Sequence, residues 1–177
     1  IGYLLRLNFW GLLVGQIYDS FYLIDVLHCI GLSILGIIGL YVITSKRKWL
    51  FPIILISITL LLFIFEPAYA KWAHAYLPDS IANYFTKAYG SVFTIIPWFG
   101  YATCGAFLSL VFAKFKNAKY IYPIAISLSI LLGVALMFGT SELFLYLAET
   151  TKIQLFADVF FNNYLFIRLG DVFLVFA

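Results

Sequence analysis

The chain has 177 residues, of which 64% are hydrophobic, 20% aromatic and only 11% charged, with a formal net charge of +3 and a mean hydropathy of +1.04. A soluble domain of this size has too little polar surface to cover so much apolar area, which excludes a water-soluble enzyme or a nucleic-acid-binding module and points to an integral membrane protein. Apolar runs of about 20 residues mean helices, because a transmembrane barrel would alternate in segments of roughly ten.

The fold class read from this pattern is all-α, a polytopic transmembrane helical bundle of about five to six spans forming one domain over 1–177. The first span, 1–17, carries Arg6 and Asn8 and leaves the membrane near Ser20. The second, 22–43, contains Asp25 and His28. Three apart on a helix, these two share a face, and Cys29, Gly36 and Gly39 fall in the same sector of roughly 100°. Small residues admit a neighbouring helix, and ionisable groups at membrane depth usually face a bundle interior or a wet cavity. Two readings stay open: Asp25 as an interfacial cap with His28 a hydrogen-bonded packing residue, or both as the lining of a site.

A basic link, 44–48, holds Lys46, Arg47 and Lys48 and leads to the third span, 49–65. Glu66-Pro67 ends that span, since proline disfavours helical geometry in the residue before it. The outer loop 66–90 carries Lys71, His74, Asp79 and Lys87 and is expected to hold a short surface helix over 80–89, capped by Asp79. In the fourth span, 91–113, Pro97 lacks an N–H and suits a first helical turn better than an interior one. One solution is an extended or re-entrant piece over 92–96 followed by a helix from Pro97, which survives at membrane depth only where it is buried in protein or lines a cavity. The other is a continuous proline-kinked span with Gly100 and Gly105 as packing notches, and Trp98 is either a pocket residue or an interfacial anchor. A second basic link, 114–119, precedes the fifth span, 120–139, a second polar outer loop, 140–163, and a short last segment, 164–177, with Arg168 and Asp171. Because the sequence begins at Ile1 inside an apolar run and stops within DVFLVFA, it is expected to be the central part of a larger bundle.

Charge fixes the orientation. Lys46, Arg47, Lys48, Lys114, Lys116 and Lys119 lie in the short links of one side, with Arg6 beside them, so 44–48 and 114–119 are expected to be cytoplasmic. All eight acidic residues, Asp19, Asp25, Glu66, Asp79, Glu142, Glu149, Asp158 and Asp171, then sit at or near the opposite face, accompanied by Lys71, Lys87, Lys152 and Arg168. Asp25, His28, Glu66, Glu142, Arg168 and Asp171 are thereby placed at the outer ends of different helices, where they can converge on an outward-facing pocket.

Two stretches carry a family resemblance. DVLHCIGLSIL, 25–35, resembles the signature GILHxIGLS, and FTIIPWFGYATCGAFLS, 93–109, resembles FPLLPWFGxxLLGxxLG, both from bacterial membrane proteins related to the catalytic domain of heparan-α-glucosaminide N-acetyltransferase. Asp25 stands where the family usually has a small residue, and Thr94 replaces the first proline. The resemblance implies a polytopic acyltransferase that takes the acetyl group of cytosolic acetyl-CoA, its co-substrate, and passes it to an amino sugar or other glycan on the far side. It also implies that the catalytic histidine lies upstream of Ile1 and is not His28, which would at most belong to the pocket, oriented by Asp25. The pocket candidates are Asp25, His28, Trp98, Arg168 and Asp171, with His74 a weaker one. Arg168 and Asp171 are expected to form an intramembrane ion pair, with binding of an anionic group by Arg168 as the sharper alternative.

Other chemistries find no pattern. Cys29 and Cys104 with two distant histidines make no metal-site spacing, and there is no glycine-rich phosphate loop, nucleophile elbow or basic face for nucleic acid. The expected partners are membrane lipid and a glycan-type acceptor, with a homo-oligomer or membrane complex also compatible. The competing class is a non-enzymatic helical subunit or part of a transporter; the latter calls for an inverted repeat with paired broken helices, and one broken segment is visible.

Overall fold

The computed structural model describes residues 3, 7–16, 19–71, 78–86, 91 and 93–177, and within them the regular elements are helical throughout. In chain order they are α1 (Phe9–Leu13), a 3-10 turn (Asp19–Tyr22), α2 (Val26–Thr44), α3 (Leu50–Ile64), α4 (Glu66–Tyr69), α5 (Asp79–Ala82) and α6 (Ile95–Phe115). Then follow α7 (Ile121–Val134), a π-helical turn (Ala135–Gly139), α8 (Thr140–Thr151), α9 (Gln154–Phe161) and α10 (Tyr164–Val175). Among the described residues, three helices are long and apolar enough to cross a membrane: Val26–Thr44, Ile95–Phe115 and the continuous run Ile121–Thr151. Their outward faces are apolar, with Ile30, Ile34, Leu35, Leu128 and Leu131 all exposed, as a lipid-facing surface requires.

Of the expected first span, 1–17, the described residues 7–16 hold the short helix α1. Asn8 caps α1, its Oδ1 accepting the N–H groups of Trp10 and Gly11 at 3.1 and 3.3 Å. The helix stops at Leu13, two residues before Gly15, which turns the chain at a left-handed φ of 73°. Arg6, His74 and Lys87 lie outside the described residues. Of the surface helix expected over 80–89, only α5 to Ala82 is helical, Asn83 to Phe85 form turns, and 87–89 lie outside the described residues.

Packing between spans depends on small and hydroxyl-bearing residues. Thr59 on α3 hydrogen-bonds with Thr103 on α6 at 2.8 Å and donates to the Gly100 carbonyl at 3.1 Å. The two backbones approach because Gly100 has no side chain, and a Cβ there would sit 2.6 Å from the Phe63 ring. α7 crosses α10 at a second close approach, Gly133 against Gly170, where a Cβ on Gly170 would meet the Gly133 carbonyl oxygen at 2.8 Å. The main core gathers Phe63, Cys104, Phe144, Val159, Leu165, Phe166, Leu169 and Phe173, with Phe166 at its centre, edge-on to Phe63 (5.4 Å) and tilted against Phe144 (5.3 Å).

Residues 140–163, expected as a polar loop, are helical for most of their length. Thr140, Thr150 and Thr151 turn their hydroxyls back onto the carbonyls of Leu136, Tyr146 and Leu147 at 2.6 to 2.8 Å, which satisfies them within the helix. Lys152 ends it in the left-handed region at φ 56°. At 1.5 Å per residue the run Ile121–Thr151 is about 46 Å long, more than the roughly 30 Å of a hydrocarbon core.

Candidate functional site

One end of the bundle collects the polar groups. Asp25 is extended (φ −106°, ψ 170°) and caps α2, and it meets His28 as a capping box in which His28 Nδ1 accepts the Asp25 N–H at 3.3 Å. An accepting Nδ1 leaves the ring proton of the neutral imidazole on Nε2. The His28 ring packs edge-on against Tyr3 (4.3 Å) and Tyr84 (6.4 Å), whose hydroxyls hydrogen-bond to each other at 2.5 Å. Burial first, then the Tyr3 hydroxyl beside it, hold the Tyr84 phenol above its ordinary pKa.

The start of α6 is stitched to this cap. Ser91 Oγ accepts the Ile24 N–H at 3.1 Å, the Tyr84 carbonyl accepts the Ile95 N–H at 2.7 Å, and Asn83 Nδ2 donates to the Tyr22 carbonyl at 3.1 Å. Thr94 is extended, its hydroxyl donating to the Ile96 carbonyl, and Ile96 is non-helical (φ −101°, ψ 122°) before a cis bond to Pro97. The backbone is thus broken before Pro97, where the missing N–H leaves no helical bond to lose. Those carbonyls and N–H groups are satisfied by neighbouring loop and helix atoms, which makes the break tolerable at this depth. Trp98 follows on the first turn, tilted against Phe93 (5.4 Å) and Tyr101 (5.5 Å). It lines a cavity of about 350 Å³ between α2 and α6, shared with Val26, Cys29, Ser33, Phe93 and Ala102. Trp98 Nε1 is buried with no hydrogen-bond acceptor among the described residues.

Glu66 is the buried carboxylate of this end, 6% exposed. Burying a carboxylate costs several kcal/mol unless it is hydrogen-bonded, and two side chains from the far end of the sequence supply the bonds: Asn162 Nδ2 donates to Oε2 at 2.9 Å and the Tyr164 hydroxyl to Oε1 at 3.3 Å. Glu66 opens α4 with Pro67 behind it, where a negative charge suits the positive end of the helix. Tyr69, one turn on, donates to the Leu62 carbonyl at 2.6 Å; burial, and then the Glu66 charge, push its phenol well above the ordinary tyrosine pKa. Glu66, Tyr69, Thr86, Thr94, Pro97 and Tyr164 line a small cleft of about 60 Å³.

The sequence-derived candidates therefore fall into separate groups. Asp25 and His28 meet each other, and Trp98 shares a cavity with Val26 and Cys29, which flank that pair on α2. Arg168 and Asp171 pair at 3.3 Å on α10 with side chains 72% and 38% exposed, and neither lines a cavity described above. Thr94 connects the two polar centres, since its carbonyl accepts from Cys29 Sγ at 3.8 Å while the residue also walls the Glu66 cleft. In the sequence Glu66 is an acid ending a span and one of the groups placed at the outer helix ends. Its partners Asn162 and Tyr164 lie 96 and 98 residues away and carry no local signal.

Residues 1–151 match a family model described as heparan-alpha-glucosaminide N-acetyltransferase, catalytic. The match takes in the capping box, Glu66 and the broken start of α6, while Asn162, Tyr164 and the Arg168–Asp171 pair lie beyond it. Comparisons with curated proteins and with solved structures return no match. The family model covers most of the chain, and with apolar helices long enough to span a bilayer the assignment is direct: this is a membrane protein of the heparan-α-glucosaminide N-acetyltransferase catalytic family.

Proposed function

We propose that the chain belongs to a transmembrane acetyltransferase that takes an acetyl group from acetyl-CoA on its lysine-rich, cytoplasmic side and delivers it to an amine of a glycan or amino sugar on the acidic outer side, in a bacterial inner membrane. The observation that carries this reading is the family match over 1–151. The gathering of Glu66, Thr94, Trp98 and the capping box at the acidic end supports it.

In such a transfer the acceptor amine attacks the thioester carbonyl, a C–N bond forms, the C–S bond breaks, CoA leaves as the thiol, and the amine proton must be taken up. The resemblance implies a catalytic histidine upstream of Ile1, distinct from His28. Glu66 is suited to a different task. A carboxylate fixed by two donors beside a small cleft can hold the ammonium or hydroxyl of an acceptor. His28, locked to Asp25, orients the outer end of α2 beside it.

The test uses the intact protein in detergent. Radiolabelled acetyl-CoA with glucosamine as acceptor should give N-acetylated product, and acetyl-CoA should raise the melting temperature saturably where free acetate does not. Glu66→Gln should raise the acceptor KM by on the order of tenfold or more with little change in the response to acetyl-CoA. Absence of both product and CoA-dependent stabilisation, in protein shown to be folded, would overturn the reading in favour of a non-enzymatic helical subunit or a transporter part.

A further inference from the structure

The hydroxyls around Glu66 share one property: their protons are already spent. Four of the residues that line the cleft carry a hydroxyl, Tyr69, Thr86, Thr94 and Tyr164. Three of them donate to groups that can only accept: Tyr164 to Glu66 Oε1 at 3.3 Å, Tyr69 to the Leu62 carbonyl at 2.6 Å, and Thr94 to the Ile96 carbonyl. A hydroxyl has one proton and two lone pairs, so each of the three keeps acceptor capacity and has no donor left. The backbone follows the same pattern. The N–H groups of Tyr69, Ala70, Phe85 and Thr86 are bonded to the carbonyls of Phe65, Glu66 and Ala82, and Pro97 has none.

Glu66 is held in the same sense. Asn162 Nδ2 has no lone pair to offer, so Oε2 accepts, and with Tyr164 donating to Oε1 the group is a carboxylate. The junction that supplies these donors is itself fixed, because Asn163, between them, donates to Thr140 Oγ1 and Ser141 Oγ at 2.6 and 3.0 Å. The cleft therefore presents a negative charge and lone pairs. A primary ammonium brings three donors, a positive charge and no acceptor, which is the complement. A hydroxyl brings one donor and lone pairs of its own that these committed groups cannot meet. An acetamide brings one N–H, no charge and a carbonyl, and an acceptor buried without a donor costs free energy.

We propose that Tyr164, Tyr69 and Thr94 are specificity-determining residues of this cleft: with their protons committed to Glu66 and to carbonyls, they make it select a primary ammonium over a hydroxyl or an acetamide. Tyr164 lies beyond the 1–151 family match. The proposal rests on the acetyltransferase reading only for the identity of the ammonium, a sugar amine. On that reading acetylation removes the charge and two of the three N–H donors, so the cleft that binds the substrate releases the product.

The intact protein in detergent is titrated calorimetrically without acetyl-CoA, in mildly acidic buffer where a sugar amine is protonated. The probes are glucosamine, glucose, N-acetylglucosamine and ethanolamine, the amine of a lipid headgroup. Glucosamine should bind on the order of tenfold or more tighter than glucose or N-acetylglucosamine. Tyr164→Phe, which keeps the ring and removes the hydroxyl, should cut the preference for glucosamine over glucose by on the order of tenfold. A purely structural role would lower the melting temperature and leave that ratio unchanged. Tyr69→Phe, on a different helix, should reduce the same ratio. Ethanolamine binding more tightly than glucosamine would support the ammonium site and assign it to a headgroup amine instead of a sugar. Preference intact without any acetyl transfer would also support the site while overturning the acetyltransferase reading. Equal binding of glucosamine and glucose, or an unchanged ratio in both tyrosine variants, would overturn the proposal.

Discussion

Replacing Gly170 with valine tests the crossing of α7 and α10. A Cβ at this position lies 2.7 Å from Met137 Cγ and 2.8 Å from the Gly133 carbonyl oxygen. The methionine can swing away, but the oxygen belongs to a helix backbone and can yield only if the helices separate, so the cost falls at the upper end of the usual overpacking range, about 2–3 kcal/mol. At Gly39 on α2 a Cβ would point into open space, with nothing within 4 Å, and Gly39→Val is the matched control, with a change of at most about 0.5 kcal/mol. At about 2–4 °C per kcal/mol for a chain of this size, Gly170→Val should melt about 4–12 °C below the parent. A thiol-reactive fluorophore is the readout, because Cys29 and Cys104 are free and buried and become reactive on unfolding. If Gly170→Val melts with the Gly39 control, the close backbone approach is refuted.

Thr59→Val and Thr103→Val should couple by about 0.5–1.5 kcal/mol in a double-mutant cycle, since each removes one side of the same buried hydroxyl pair; additive effects would mean that the hydroxyls do not meet. Asn162→Leu should destabilise the protein by about 1–3 kcal/mol by depriving the Glu66 carboxylate of a donor, and unchanged thermal stability would remove Asn162 from the cleft. At the surface, Gln154 and then Lys71 hydrogen-bond Asp158 and lower its pKa. The folded value being depressed, the stability it adds is present above the unfolded pKa of about 3.9 and is lost as pH falls through the lower folded value. The melting gap between the parent and Asp158→Asn should therefore be small at pH 7, smaller still in high salt, and closed in strong acid; a gap that widens on acidification would reverse the sign.

The sequence made the apolar helices legible because a lipid-facing residue needs no partner, so composition alone marks it. It also marked the break at Pro97, since a missing N–H is a local fact, and the cap at Asp25, since Asp and His three apart at a helix start suffice to close it. What was not legible depends on tertiary partners. Thr140, Ser141, Glu142, Thr150 and Thr151 read as a polar loop until Phe144 is seen docked on Phe166 and the threonine hydroxyls are seen folded back onto the helix. Glu66 could be placed at the outer end of a span, but its burial could not be read, because the donors that let it stay buried come from the other end of the chain. Arg168 and Asp171 were recognisable as a pair from their spacing, but spacing says nothing of which side of α10 faces the cleft.

The π turn at Ala135–Gly139 has a consequence for how this protein can vary in length. A π turn inside an α-helix is equivalent to one inserted residue, and deleting a residue there would restore regular winding and rotate everything beyond it by about 100°. Thr140 would leave Asn163, to which it is bonded at 2.6 Å, and Phe144 would leave the Phe156 and Phe166 rings. Single-residue deletions should therefore be far rarer among relatives in this turn than at the exposed ends of the helices, where a change in length moves no side chain off its partner.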